Sequence, residues 1–153
     1  RDFNQSEEFN KHQGGMSRSF EDIEDGVLQS EGMKEICLTF KKENNLIDGQ
    51  EVDIHQMRVI TLDGKTFTHV SPEGVHQDGF DHIAMIGIER SNIEGGDLMA
   101  YVLKDSDPFL IHQLQPGEML MLNDKELWHN AKPIKRITAT AGYGDWFVLC
   151  AKT

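Results

Sequence analysis

The sequence predicts an all-β core, a sandwich or small barrel, with one helix near the N-terminus. Three observations carry this expectation. After Gly49 the chain breaks into short apolar runs separated by turn residues, the texture of antiparallel strands. The turns have mechanisms: Asp63-Gly64 suits a two-residue hairpin, Gly95-Gly96 supplies positive φ, and Pro116-Gly117 punctuates a further bend. The only helical spacing lies between Glu21 and Asn45, where Val27, Leu28, Met33, Ile36, Cys37 and Phe40 fall near one face, interrupted by Gly26 and Gly32.

Residues 1–35 are polar, with Gly14-Gly15 as a turn and little periodicity outside the helical stretch. The strands expected downstream are Val52–Leu62, Phe67–Val70, His82–Glu89, Leu98–Leu103, Phe109–Gln113, Met119–Leu122, Leu127–His129 and Trp146–Ala151. Antiparallel strands at this spacing close into a sandwich or barrel. No internal repeat, low-complexity tract or linker divides the chain, so residues 1–153 are expected to form a single domain.

A chain of 153 residues is long enough for one hydrophobic core, and 38% hydrophobic with 27% charged residues is ordinary for a soluble globular protein. No run approaches the roughly 18 apolar residues of a membrane span. The formal charge of −11 argues against nucleic acid and against anionic membranes, and its simplest reading is solubility. Cys37 and Cys150 are too few for a disulfide framework and lack metal-type spacing; as buried small hydrophobes they fit a reducing, cytoplasmic setting. The chain begins at Arg1 rather than Met, which leaves room for a missing N-terminal piece or a cleaved targeting segment.

The chemistry-bearing pattern is His76-Gln77-Asp78. On an extended strand, residues two apart project to one face, so both side chains can reach one ion. His129, 53 residues further on and following the apolar run Met119–Leu122, is the natural third ligand. Two histidines and one carboxylate leave the opposite face of an octahedral iron(II) open for substrate and oxygen. The tripeptide alone is a weak signal, because seven His and thirteen Asp give about 0.6 His-x-Asp matches by chance. His12, His55, His69, His82 and His112 read as satisfied or exposed side chains. No His-Glu-x-x-His, Cys-x-x-Cys or phosphate-binding glycine loop competes.

Longer segments add specificity. The run Pro72-Glu73-Gly74-Val75-His76-Gln77-Asp78-Gly79, followed by Arg90-Ser91-Asn92-Ile93-Glu94-Gly95-Gly96-Asp97, resembles the 2OG-Fe dioxygenase family of bacterial free amino-acid hydroxylases. So do His55-Gln56-Met57-Arg58, Trp128-His129-Asn130-Ala131-Lys132-Pro133, and Asn10 through Phe20 with Gly14-Gly15 and Arg18-Ser19-Phe20. The resemblance spans nearly the whole chain. It implies a double-stranded β-helix (jelly-roll, cupin-like), with Fe(II), 2-oxoglutarate as co-substrate, and O2. It also implies hydroxylation of a small substrate, often a free aliphatic amino acid, coupled to decarboxylation of 2-oxoglutarate to succinate. Carried over residue by residue, His76, Asp78 and His129 match the iron ligands and the catalytic centre.

One position departs from the pattern. The family places an arginine on its last strand for the far carboxylate of 2-oxoglutarate, and here Gly144 stands there, within Gly142-Tyr143-Gly144-Asp145-Trp146. A buried carboxylate without a charged partner is costly. The expectation is a gap at Gly144 into which another cation reaches. Arg58, sharing a strand face with Gln56, is the first choice; Arg136, in an expected loop, is the second, and Lys104 the third. Trp128 and Trp146 read as core, Gly95-Gly96 as a turn, and Asp81 and His82 as possible supports for the iron ligands. Two other readings stay open: a metal-holding jelly-roll without turnover, and a zinc hydrolase, which lacks a sequence-local general base.

Overall fold

The computed structural model describes residues 21–62 and 65–153 and, before them, the backbone of two paired short strands, β1 (Asp2–Phe3) and β2 (Arg18–Ser19). The resemblance at Asn10 through Phe20 therefore falls almost wholly outside the described residues, as does the Asp63-Gly64 turn.

The helical stretch divides into a single turn, α1 (Asp25–Leu28), and a longer helix, α2 (Glu31–Glu43). Neither glycine makes the break. Ser30 does: its extended backbone starts α2, while its hydroxyl accepts from the Met33 N–H at 3.1 Å and donates to the Val27 carbonyl at 2.7 Å. Lys41 and Lys42 in the last turn complement the helix dipole. The face carrying Met33 and Phe40 packs on Ala84, Ile86, Phe147 and Leu149. Phe40 is wholly buried, and that burial alone contributes roughly 1.5–3 kcal/mol.

Nine strands follow: β3 (Val52–Thr61), β4 (His82–Ser91), β5 (Ile93–Gly95), β6 (Leu98–Tyr101), β7 (Leu110–His112), β8 (Met119–Asn123), β9 (Trp128–Ala131), β10 (Ile134–Arg136) and β11 (Gly142–Ala151). A four-stranded antiparallel sheet runs β3-β11-β4-β8, a three-stranded one runs β7-β6-β9, and β10 pairs with β5. One apolar cluster draws Ile83, Met85 and Trp146 from the larger sheet and Ala100 from the smaller, with Ile134 at the join. This is the double-stranded β-helix of a cupin-like jelly-roll, with its helix near the N-terminus. The central strand β11 is covered on both faces: Trp146 and Cys150 point into the barrel, Phe147 and Leu149 toward α2. That is why Trp146–Ala151 reads as a nearly continuous apolar run.

Three expectations change. Phe67–Val70 is not a strand but a single bridge, Thr68 to Ile134, because β10 is three residues long and already paired on its other edge with β5. Ile93–Gly95 and Ile134–Arg136 are strands too short for alternation to reveal, which puts Arg136 at a strand end rather than in a loop. Gly95 and Gly96 do have positive φ, and a Cβ on Gly95 would run into the Pro133 carbonyl. Cys37 and Cys150 are free thiols whose pKa burial pushes up, in keeping with apolar filling.

Candidate metal centre

His76 and His129 face each other across an antiparallel bridge. Each donates its backbone N–H to the other's carbonyl at 2.9 Å. That pairing brings the two rings to 4.3 Å between centroids. Asp78 sits on the turn that follows. Its Oδ1 lies 3.4 Å from His76 Nε2, and its Oδ2 lies 3.4 Å from His129 Nε2. One ligand atom from each of the three lies within 4.8 Å of the others.

The supporting hydrogen bonds decide which nitrogens are available. His76 Nδ1 lies 2.8 Å from the Gly74 carbonyl, an acceptor, so Nδ1 carries a hydrogen and Nε2 is the nitrogen turned toward Asp78, where an ion would take the place of a proton. His129 Nδ1 faces Asp124 Oδ1 at 3.4 Å. Two Nε2 lone pairs and one carboxylate converging from a buried wall form a donor set that suits a divalent iron.

Asp124 is the residue that sequence reasoning missed. It is 1% exposed, and its Oδ2 accepts the backbone N–H groups of Asp78, Gly79 and Phe80 at 2.9, 2.9 and 3.2 Å. One carboxylate thus folds the turn that presents Asp78 and faces the ring of His129. Asp81, expected in that role, instead accepts from the Thr153 backbone and hydroxyl and pairs with Lys125. Asp81 and Asp124 meet only through their backbones, the Asp124 N–H donating to the Asp81 carbonyl at 3.0 Å.

Electrostatics follow from this packing. Burial would raise the Asp78 pKa, but hydrogen bonds from His129 and His76 hold it well below the usual carboxylate range, so the carboxylate is ionised. Burial would lower the His129 pKa, but the Asp124 and Asp78 carboxylates outweigh it and lift the imidazole to about 9. A carboxylate behind the ring makes its other nitrogen a stronger donor.

The triad opens on a cavity of about 760 Å³ that also touches Gln56, Glu73 and Trp146. Glu73, a second acid that the spacing did not single out, places Oε1 3.3 Å from His76 Nε2. The signal for it was its position three residues before His76.

The 2OG-Fe dioxygenase family model matches residues 1–150. The chain belongs to the 2OG-Fe dioxygenase family. The cofactors of this family are Fe(II), 2-oxoglutarate and O2. Among solved structures the chain is similar to a bsmA homolog from Methylobium petroleophilum PM1, at 21% identity and a TM-score of 0.82 over 100% of this chain and 63% of that one. It is similar to IDO from Bacillus thuringiensis, at 18% identity and a TM-score of 0.76 over 90% of this chain and 68% of that one. It is also similar to the Fe(II)/(alpha)ketoglutarate-dependent dioxygenase TqaL, at 13% identity and a TM-score of 0.73 over 88% of this chain and 58% of that one. At these identities the likeness is one of fold, and the chain spans 58–68% of the length of those proteins. Comparison with curated proteins finds no significant match.

The family's arginine position has an unexpected occupant. A Cβ on Gly144 would come within 3 Å of three atoms of the Trp146 indole, so the ring fills the space that was expected to be a gap. Of the proposed replacement cations, none lines the cavity. Arg58 makes a two-point ion pair with Asp145, directly opposite it on β11, at 2.7 and 2.6 Å, and its guanidinium lies over Tyr143. Arg136 donates to the Ala139 carbonyl at 2.6 Å, and Lys104 lies over the Trp128 ring. Gln56, by contrast, does border the cavity.

Proposed function

We propose that the protein is an Fe(II)/2-oxoglutarate-dependent oxygenase that hydroxylates a small substrate, a free amino acid, with His76, Asp78 and His129 holding the iron. One observation carries this: two imidazole Nε2 atoms and a carboxylate, each buttressed from behind, meet within 4.8 Å at the wall of a cavity large enough for two small acids. Bound there, iron supplies the oxidising chemistry with O2 and 2-oxoglutarate. The protein's residues do the rest. Gly74 and Asp124 fix the imidazoles, the three N–H groups bound to Asp124 fix Asp78, and Ile54, Val70 and Leu98 give the cavity apolar walls that keep water off the reacting carbon.

The amino-acid assignment is supported by charge. Among the described residues the cavity is lined by Glu21, Asp22, Glu24 and Glu73 and by no lysine or arginine, which suits an ammonium group beside an aliphatic side chain. No helix among the described residues is long and apolar enough to cross a membrane, and the two free thiols accord with a reducing, cytoplasmic setting.

The test is succinate release from 2-oxoglutarate with Fe(II) and a mixture of free amino acids, in air and under nitrogen. Oxygen-dependent succinate that rises with one amino acid, together with a product 16 mass units heavier, is the expected result. Iron binding without any succinate in air would leave a metal-holding barrel without turnover.

A further inference from the structure

An arginine stands directly across the sheet from position 144. In the register of β4 on β11, Gly144 lies opposite Arg90. Strict alternation from Ile83 and Met85, which point into the barrel, would send Arg90 outward. A bulge reverses this. Asp145 pairs with Glu89 but Trp146 pairs with Gly87, so Ile88 is an extra residue and the faces exchange after it. Glu89 consequently points out, where it accepts from the Tyr143 hydroxyl at 2.9 Å, and Arg90 turns to the inner side.

Arg90 Nη2 donates to the Gly95 carbonyl at 2.6 Å. Nη1 is buried and has no hydrogen-bond partner. Asp97, the acid nearest in charge, is already held by Lys132 at 3.2 Å and by Gln113 at 3.2 Å. The residue facing Nη1 is Gly96: a Cβ built there would stand 3.6 Å from Nη1 and 3.7 Å from Trp146 Cζ2. Gly96 and Trp146 both line the cavity that holds the metal triad. Nη1 thus lies buried and without a hydrogen-bond partner behind a glycine of the cavity wall, and no lysine or arginine among the described residues lines the cavity itself. Native proteins rarely leave such a donor unmet, and a carboxylate is the partner whose geometry fits it.

We propose that Arg90 binds the far carboxylate of 2-oxoglutarate, taking over from the neighbouring strand the role of the family arginine absent at Gly144. The inference rests on the oxygenase reading above. Hydrogen bonds between charged groups of this kind change affinity by roughly tenfold to a hundredfold.

Calorimetry with Mn(II) under nitrogen separates this role from a structural one. The two ligands are 2-oxoglutarate and 2-oxopentanoate, which keeps the 2-oxo acid head but ends in a methyl group. Wild type is expected to prefer 2-oxoglutarate by at least about tenfold, and Arg90→Met to abolish that preference while changing 2-oxopentanoate affinity by less than about twofold. Arg90→Met that folds and keeps the preference, or that weakens both ligands equally, overturns the inference and leaves the oxygenase reading standing. Wild type that binds 2-oxoglutarate without preferring it does the same. Wild type that binds neither 2-oxo acid refutes both. Should Arg90→Met fail to fold, a crystal of the wild type with Mn(II) and 2-oxoglutarate decides: the far carboxylate at hydrogen-bond distance from Arg90 supports the assignment, and any other partner overturns it.

Discussion

The two ends of the cavity are built to different standards. At the metal end the Asp124 carboxylate faces three backbone N–H groups and an imidazole, and His76 is anchored to the Gly74 carbonyl. At the Arg90 end one guanidinium nitrogen has a single carbonyl and the other has none, and the opposite residue has no side chain. At the metal end Asp124 Oδ2 and His76 Nδ1 are met within the fold, and the two atoms left without a hydrogen bond, Asp124 Oδ1 and His129 Nδ1, face each other at 3.4 Å; Arg90 Nη1 faces no acceptor. The contrast separates a site the fold holds in place by itself from one that the proposed contact with 2-oxoglutarate would complete.

The strongest way to break the metal end is Asp78→Ala. It removes the only formal negative charge among the three proposed ligands and the shared partner of both imidazoles. Metal affinity is expected to fall by more than the roughly 10–100-fold that loss of a supporting residue costs, with the fold retained. Titration of Fe(II) into the folded variant under nitrogen checks this, and an unchanged affinity refutes the triad. Asp124→Asn comes next. The amide keeps one acceptor for the turn but loses the charge behind His129, so affinity should drop about 10–100-fold while Asp78, His76 and His129 all remain. If metal affinity is untouched, the Asp124 contacts organise the turn alone.

The Arg90 end is sharpened by a double-mutant cycle. Gly144→Ala should destabilise the protein by about 1–3 kcal/mol, because the methyl group meets the Trp146 indole. In a Trp146→Ala background the same change should cost far less, and the difference is the coupling between the two positions. Urea unfolding of the four proteins measures it. Equal costs in both backgrounds would mean that the indole is not what excludes a side chain from position 144, and the family's arginine could then be restored there.

What was legible in the sequence tracks the range of the interaction. The strand texture and the Gly95-Gly96 turn are local, and the all-β fold follows from them; the His-x-Asp spacing is local too, but His129, 53 residues from His76, was joined to it through the family resemblance, and the fold brings the three together. The Asp124 clasp joins residues 44–46 positions apart, and nothing near Asp124 announces it beyond an acid at the end of an apolar strand. Arg90 stayed hidden for a different reason. One inserted residue at Ile88 inverts the alternation, so a period-two reading places its side chain on the wrong face. Gly144 was visible as a departure, yet the absence of a side chain says nothing about which neighbour fills the space, and it is Trp146 that does so.

The smallest expected effect tests whether the metal end also leans on the last strand. The Asp81 carbonyl accepts the Asp124 backbone N–H, its own N–H donates to the Ala151 carbonyl, and its carboxylate holds Thr153 and Lys125. Burial raises the Asp81 pKa, but the Thr153 and Lys125 contacts outweigh it and bring it down from 3.8 to about 2. A depressed carboxylate pKa contributes stability that is fully present above the unfolded value and is lost as pH falls from 3.8 toward 2. Other carboxylates titrate in the same range, so the quantity to follow is the difference in unfolding free energy between wild type and Asp81→Asn. It should be constant at neutral pH and shrink between 3.8 and about 2, as both proteins come to carry an uncharged group at position 81. A difference that persists unchanged at the acid end would show that the shape of the side chain, and not its charge, ties the last strand to the Asp124 turn.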